Sequence, residues 1–259
     1  MNTNPIGIFD SGIGGTSIWK EIHRLLPSEN TIYLADSANA PYGTKGKETI
    51  INLSIKNTNY LISNHCKLIV VACNTATTNA ISVLRKKYDI PFIGIEPAIK
   101  PAALNSKTKA IGILATKGTL ASELFNNTAS LYGSGLEVIE QVGEGLVELI
   151  EMGKVDSVEL KVLLKSYIKP MLEADIDYLV LGCSHYTYLM PLLVELLPNH
   201  VKIIDSGEAV ARQTKHILES KHFLNLSTIK SKHVFYSNGN PDVLKAIIKD
   251  DINVKYLDF

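Results

Sequence analysis

The chain has 259 residues, 46% of them hydrophobic, and its 26 Lys and Arg balance 26 Asp and Glu for a net charge of zero. That length and apolar content can bury two cores of ordinary size, and the balanced charge leaves no electrostatic footprint for nucleic acid or an anionic membrane. The cysteines, Cys66, Cys73 and Cys183, contain no Cys-x-x-Cys pair, which argues against a disulfide framework or a structural zinc site.

In chain order, short runs rich in Val, Ile and Leu predict strands near 5–9, 31–35, 67–72, 91–95, 109–114, 136–140, 177–182, 201–204, 233–237 and 253–257. Stretches of helical period lie between them, as with Ile18, Ile22, Leu25 and Leu26, and with Leu160, Leu163, Leu164, Tyr167 and Ile168. This alternation is the signature of α/β architecture, with mostly parallel sheets flanked by helices. No apolar run approaches the roughly 20 residues of a membrane span. The first five residues lack the charged start and apolar stretch of a signal peptide, so the expectation is a cytoplasmic protein.

Two runs share one plan. LIVVACNT at 68–75 and YLVLGCSH at 178–185 each place a cysteine just after a buried apolar strand. IGIFDSG at 6–12 is echoed by IGILATKG at 111–118, and the distance from each Ile-Gly-Ile start to its cysteine is 67 residues in one case and 72 in the other. Similar order with similar spacing predicts two related units in pseudo-twofold relation, with the site in the cleft between them. The seams fall near Pro97 and Ser206. The first domain is therefore expected over 1–97 plus 207–259, recovering its last strands from the C-terminal segment, and the second over 98–206.

In open parallel sheets, ligands bind beyond the carboxyl ends of the strands. The loops there carry Asp10 and Ser11, Asp36 to Gly43, Cys73 to Thr75, Thr116 to Thr119, and Cys183 to His185. A helix capped by Asn or Thr after Cys73 is expected to favour the thiolate through its dipole, and Cys183 has the same placement with an imidazole two residues away. The bland alternative for each cysteine is a small buried apolar residue. Asp10 reads equally as a helix cap and as a carboxylate that orients a thiol or moves a proton.

Other site types fit poorly. The run Gly12-Ile13-Gly14-Gly15-Thr16-Ser17 lacks the third glycine of a dinucleotide loop. Gly46-Lys47-Glu48 lacks both the upstream glycine and the hydroxyl residue of a phosphate loop. Asn79 and Leu189 stand where a cysteine phosphatase needs arginine. The histidines show no metal-ligand spacing, and no motif demands a cofactor. Two thiols facing one another across a small substrate can take a proton from one face of a carbon and return one to the other.

The runs FDSGIGG at 9–15, DSANAPYG at 36–43, ACNTA at 72–76, GCSHY at 182–186 and DSG at 205–207 resemble those of the glutamate racemases, within the cofactor-independent aspartate/glutamate racemase superfamily. The resemblance implies interconversion of L- and D-glutamate for peptidoglycan synthesis by two bases and without a cofactor. Cys73 would deprotonate D-glutamate and Cys183 L-glutamate, with Asp10 serving Cys73, His185 assisting Cys183, and Glu151 as a further supporting carboxylate. Implied substrate contacts are Asp10, Ser11, Pro41, Tyr42, Gly43, Asn74, Thr75, Thr116, Thr119, Ser184 and His185. Three positions depart from the family pattern: Ser184 replaces the usual threonine, Thr187 a common proline, and Glu148 an apolar residue or proline. A racemase acting on aspartate or another small acid is the alternative substrate reading, and a non-catalytic amino-acid binding protein a third. Oligomeric state stays open, with a homodimer among the options.

Overall fold

A computed structural model describes residues 2–133, 135–248 and 252–259. Ten strands are present among them: β1 (Ile6–Asp10), β2 (Thr31–Ala35), β3 (Leu68–Val71), β4 (Phe92–Gly94), β5 (Ala110–Ala115), β6 (Glu137–Val142), β7 (Tyr178–Gly182), β8 (Lys202–Ile204), β9 (His233–Ser237) and β10 (Asn253–Tyr256). Each overlaps a strand expected from the sequence. β1, β3, β5 and β7 are buried at every position, as strands covered on both faces must be.

The strands form two parallel sheets, one ordered β10-β9-β2-β1-β3-β4 and the other β6-β5-β7-β8. Omitting β9 and β10, the two orders are identical, with β1 matching β5 and β3 matching β7. The order therefore reverses between β1 and β3 in one sheet and between β5 and β7 in the other. These switch points are where an open sheet leaves a crevice for ligand. The first sheet draws its strands from both ends of the chain.

Helices cover both faces. In Thr16–Leu25, Ile18 and Ile22 are buried, and in Val158–Glu173 so are Leu160, Leu164 and Ile168. Ser157 caps the latter helix by accepting from Leu160 N. One apolar cluster runs through both halves, bringing Ile8 and Ile13 into continuity with Leu114, Leu146, Ile150 and Tyr186.

At the opposite end of the first sheet from the crevice, Lys67 and Glu29 form an ion pair at 2.5 Å, each side chain 2% exposed. Lys67 Nζ also donates to Asn2 O and Phe223 O, and Glu29 Oε1 accepts from Asn225 N. The pair thus joins four distant stretches of chain.

Candidate active site

β1 and β3 deliver Asp10, Ser11 and Cys73 to one side of the crevice, and β5 and β7 deliver Thr116 and Cys183 to the other. Phe9 pairs with Val71 and Ala115 with Gly182, so continuing each register sets Ser11 opposite Cys73 and Thr116 opposite Cys183. The site is closed: Asp10 is fully buried, and Cys73 and Cys183 are 4% and 7% exposed.

Cys73 is itself the N-cap of helix Asn74–Lys87, its sulfur accepting from Ala76 N at 3.4 Å. The cap expected from Asn or Thr is therefore the thiol. Its Sγ also lies 3.6 Å from Ser11 Oγ. The expected thiolate is not favoured, because burial pushes the Cys73 thiol up to about 12 and the Asp10 charge adds to the rise, outweighing the bonds from Ala76 N and Ser11. Cys183 also departs from expectation. The 3-10 turn Ser184–Leu189 follows it, and an α-helix begins only at Met190, with Pro191 in its first turn.

Behind Cys183 stands a chain of polar contacts. His185 Nδ1 lies 3.9 Å from Cys183 Sγ, and His185 Nε2 lies 2.5 Å from Glu151 Oε1. Glu151 Oε1 also accepts from Ile13 N at 2.7 Å, and its Oε2 accepts from Ser37 Oγ at 3.0 Å. Burial works against charge on His185, yet its bonds to Cys183 and Glu151 and the nearby Asp10 raise its pKa well above the ordinary imidazole value.

Asp10, expected to serve Cys73, has its carboxylate held by hydrogen bonds from Gly12 N at 2.8 Å and Ser184 Oγ at 2.9 Å. Cys73 feels it through charge alone. Burial pushes the Asp10 pKa up to about 6, against the pull of His185 and of the two hydrogen bonds.

The glycines of the β1 loop make this packing possible. A Cβ on Gly12 would lie 1.9 Å from Glu151 Oε1, and one on Gly14 would lie 2.3 Å from His185 Nδ1. What looks like a failed dinucleotide loop is a surface cut to fit two side chains of the other half.

Thr75, Thr116 and Thr119 share a ring of hydroxyl contacts at 2.8, 3.0 and 3.2 Å, and Gly43 packs against Thr116. Pro41, Gly43 and Thr116 line a cavity of about 210 Å³ at the rim, with Gly143 and Glu148. Tyr42 is not free for substrate through its hydroxyl, which donates to Asp36 Oδ2 at 2.5 Å and accepts from Asn57 Nδ2 at 3.1 Å. Asn74, beside Cys73, has both amide atoms buried without a partner. Such a group costs free energy unless a polar ligand completes it.

Sequence reasoning missed Ser37, Asn238 and Tyr188. Tyr188 meets Thr16 in a hydrogen bond across the two halves, and Asn238 holds the turn after β2. Ser37 stood inside a quoted motif, whereas the other two carried no local signal.

Residues 6–214 match the model of the Asp/Glu/hydantoin racemase family. The chain belongs to this family. It is accordingly an isomerase that acts as an amino-acid racemase. The glutamate racemase of Herpetosiphon aurantiacus is 42% identical over 241 residues, covering 93% of this racemase and 95% of its relative. The crystal structure of glutamate racemase isoform RacE1 from Bacillus anthracis superposes with a TM-score of 0.89 at 30% identity, covering 100% of this chain and 99% of that one. A Francisella tularensis glutamate racemase solved with D-glutamate gives a TM-score of 0.86 at 27% identity, covering 100% and 98%. Among the described residues no helix is long and apolar enough to cross a membrane.

Proposed function

We propose that this racemase interconverts L- and D-glutamate without a cofactor, using Cys73 and Cys183 as paired bases, and that it supplies D-glutamate for peptidoglycan in the cytoplasm. The observation that carries the reading is the placement of two buried thiols at topologically equivalent strand ends of one closed site. From L-glutamate, the Cys183 thiolate takes the α-proton, and the electron pair left on the carbon takes a proton from the Cys73 thiol on the opposite face. The product is D-glutamate, with Cys183 now a thiol and Cys73 a thiolate, and the reverse reaction restores the first state. Burial suits Cys73 to the donor role in that direction, since it holds the proton at neutral pH. The substrate's ammonium group, brought against a thiolate, offsets the desolvation that opposes it.

The roles proposed for the remaining residues follow their contacts. His185, backed by Glu151, carries charge beside Cys183, and Asp10 with Ser184 sits where it can receive the substrate ammonium. Asn74, Thr75, Thr116 and Thr119 offer amide and hydroxyl groups to the carboxylates, with Ser11, Pro41 and Gly43 completing the wall and Tyr42 bracing it. Domain limits of 1–97 plus 207–259 and 98–206 place one thiol in each unit. Glutamate is favoured by the similarity to glutamate racemases over nearly the whole chain. One methylene separates it from aspartate, a difference worth about 1 to 3 kcal/mol.

The test is incubation of the purified protein with L-glutamate or L-aspartate in D2O, following optical rotation and loss of the α-proton signal. Loss of both signals with glutamate is expected, and each of Cys73→Ala and Cys183→Ala should abolish racemisation. Exchange with aspartate alone would overturn the substrate assignment, and near-normal turnover by either variant would overturn the two-base mechanism.

A further inference from the structure

Ser37 belongs to the first half of the molecule, yet its hydroxyl reaches Glu151 Oε2, behind the His185 and Cys183 pair of the second. Both residues flanking it are held by one side chain. Asn238 Oδ1 accepts from Ala38 N at 2.9 Å, and Asn238 Nδ2 donates to Asp36 Oδ1 at 2.5 Å. Asn238 directly follows β9, and because Ala35 pairs with Ser237 it stands opposite Asp36 in register.

Asp36 is itself fully buried and also accepts from Tyr42 and Asn39. The next residue, Gly239, is shaped to the same purpose: a Cβ there would lie 2.8 Å from Ser37 Cβ. A serine hydroxyl is too short to reach Glu151 from a displaced backbone, so this clamp decides whether the contact forms. With Ser37 on one oxygen and Ile13 N and His185 on the other, the Glu151 carboxylate has both oxygens engaged and one orientation.

We infer that Ser37, Asn238 and Gly239 are positioning residues for proton transfer at Cys183, through which the C-terminal β9 segment of one half sets the Glu151 and His185 relay of the other. The inference rests on the two-base reading. Its particular content is an asymmetry, because the contacts of the Cys73 sulfur are with Ser11 and Ala76 N and lie outside this clamp. Loosening the clamp slows the step at Cys183 and spares the step at Cys73.

Isotope effects separate those steps. Deuterium at the α-carbon of L-glutamate is removed at Cys183, and that of D-glutamate at Cys73. When the Cys183 barrier rises, the isotope effect on kcat/KM should increase from the L side and shrink from the D side. A variant with merely less folded protein would leave both effects at wild-type values.

Ser37→Ala and Gly239→Ala are expected to lower kcat/KM on the order of tenfold, the scale of losing one hydrogen bond to a charged group, with that opposed movement of the isotope effects. Ser37→Thr, which keeps the hydroxyl, should restore the wild-type pattern. Ser37→Ala is the deciding variant, since its half-buried side chain is the least prone to disturb folding. Isotope effects that stay put or move together in it, or an unchanged kcat/KM, would overturn the inference. A wild-type protein inert toward both glutamate isomers would instead remove the two-base reading beneath it.

Discussion

Ser184 donates its hydroxyl to Asp10 across 2.9 Å, joining the residue after Cys183 to the carboxylate at the end of β1, 174 positions earlier in the chain. With Gly12 N on the other oxygen, these two bonds offset only part of the cost of burying the charge. The Asp10 carboxyl, at about 6 when folded against 3.8 for the free group, thus contributes stability that is fully present below about 3.8 and lost as pH rises to about 6. Two pKa units correspond to about 3 kcal/mol. Asp10→Asn, which keeps the shape and an acceptor for Gly12 N, is expected to stabilise the fold by about 1 to 3 kcal/mol at pH 8 and by much less at pH 4. Racemisation should fall by about a hundredfold. Urea unfolding at the two pH values and optical rotation are the checks, and equal stabilisation at both would contradict the argument.

Burial pushes both Cys66 and Cys73 up to about 12. The thiolate is the nucleophile, so both sulfurs should resist iodoacetamide in the native protein at neutral pH and react once it is unfolded. Peptide mass spectrometry reads the result. Native labelling of Cys73 at the rate of a free thiol would show that the helix N-terminus wins over desolvation.

Gly14→Ala places a methyl group 2.3 Å from His185 Nδ1 and 2.6 Å from His185 N. Backbone cannot yield as a flexible side chain does, so the halves must separate locally. A stability loss of about 1 to 3 kcal/mol is expected, with a larger proportional loss in kcat. Thermal unfolding beside steady-state kinetics tests this, and a variant with normal kcat would show that the close packing of His185 is dispensable.

Lys67→Met should cost about 3 to 5 kcal/mol, because it leaves Glu29 charged and buried without its partner. Glu29→Gln in the same chain should recover part of that loss. The midpoint of urea unfolding for the wild type and the two variants decides it; a Lys67→Met protein as stable as the wild type would show that Glu29 takes up a proton or finds water.

Much of this architecture is legible in the sequence, since fully buried parallel strands announce themselves as apolar runs and the Ile-Gly-Ile starts expose the repeat. The thiols at 73 and 183 were legible for the same reason. What escaped depends on burial and on partners far along the chain. The helix after Cys73 suggested a thiolate, but no local pattern reveals how completely that sulfur is withdrawn from water. That the Tyr42 hydroxyl is taken by Asp36 and Asn57 could not be read locally, because those partners lie 6 and 15 residues away. Asp10 acts on Cys73 through its charge, as expected of a carboxylate on that side, but its hydrogen bond from Ser184, 174 residues away, had no local signal. The glycines at 12 and 14 showed their purpose only once Glu151 and His185 lay against them.

The contacts that close the crevice also run through the groups proposed for catalysis. Glu151 takes Ile13 N and Ser37, Asp10 takes Ser184, and Thr16 meets Tyr188, each pair reaching from one half to the other. A substitution that breaks one of these contacts therefore loosens the seal and the proposed catalytic groups together. In the proposed mechanism this makes fidelity a matter of seclusion: both cysteines are almost withdrawn from solvent, so the proton that reaches the carbanion comes from a chosen thiol and not from bulk water.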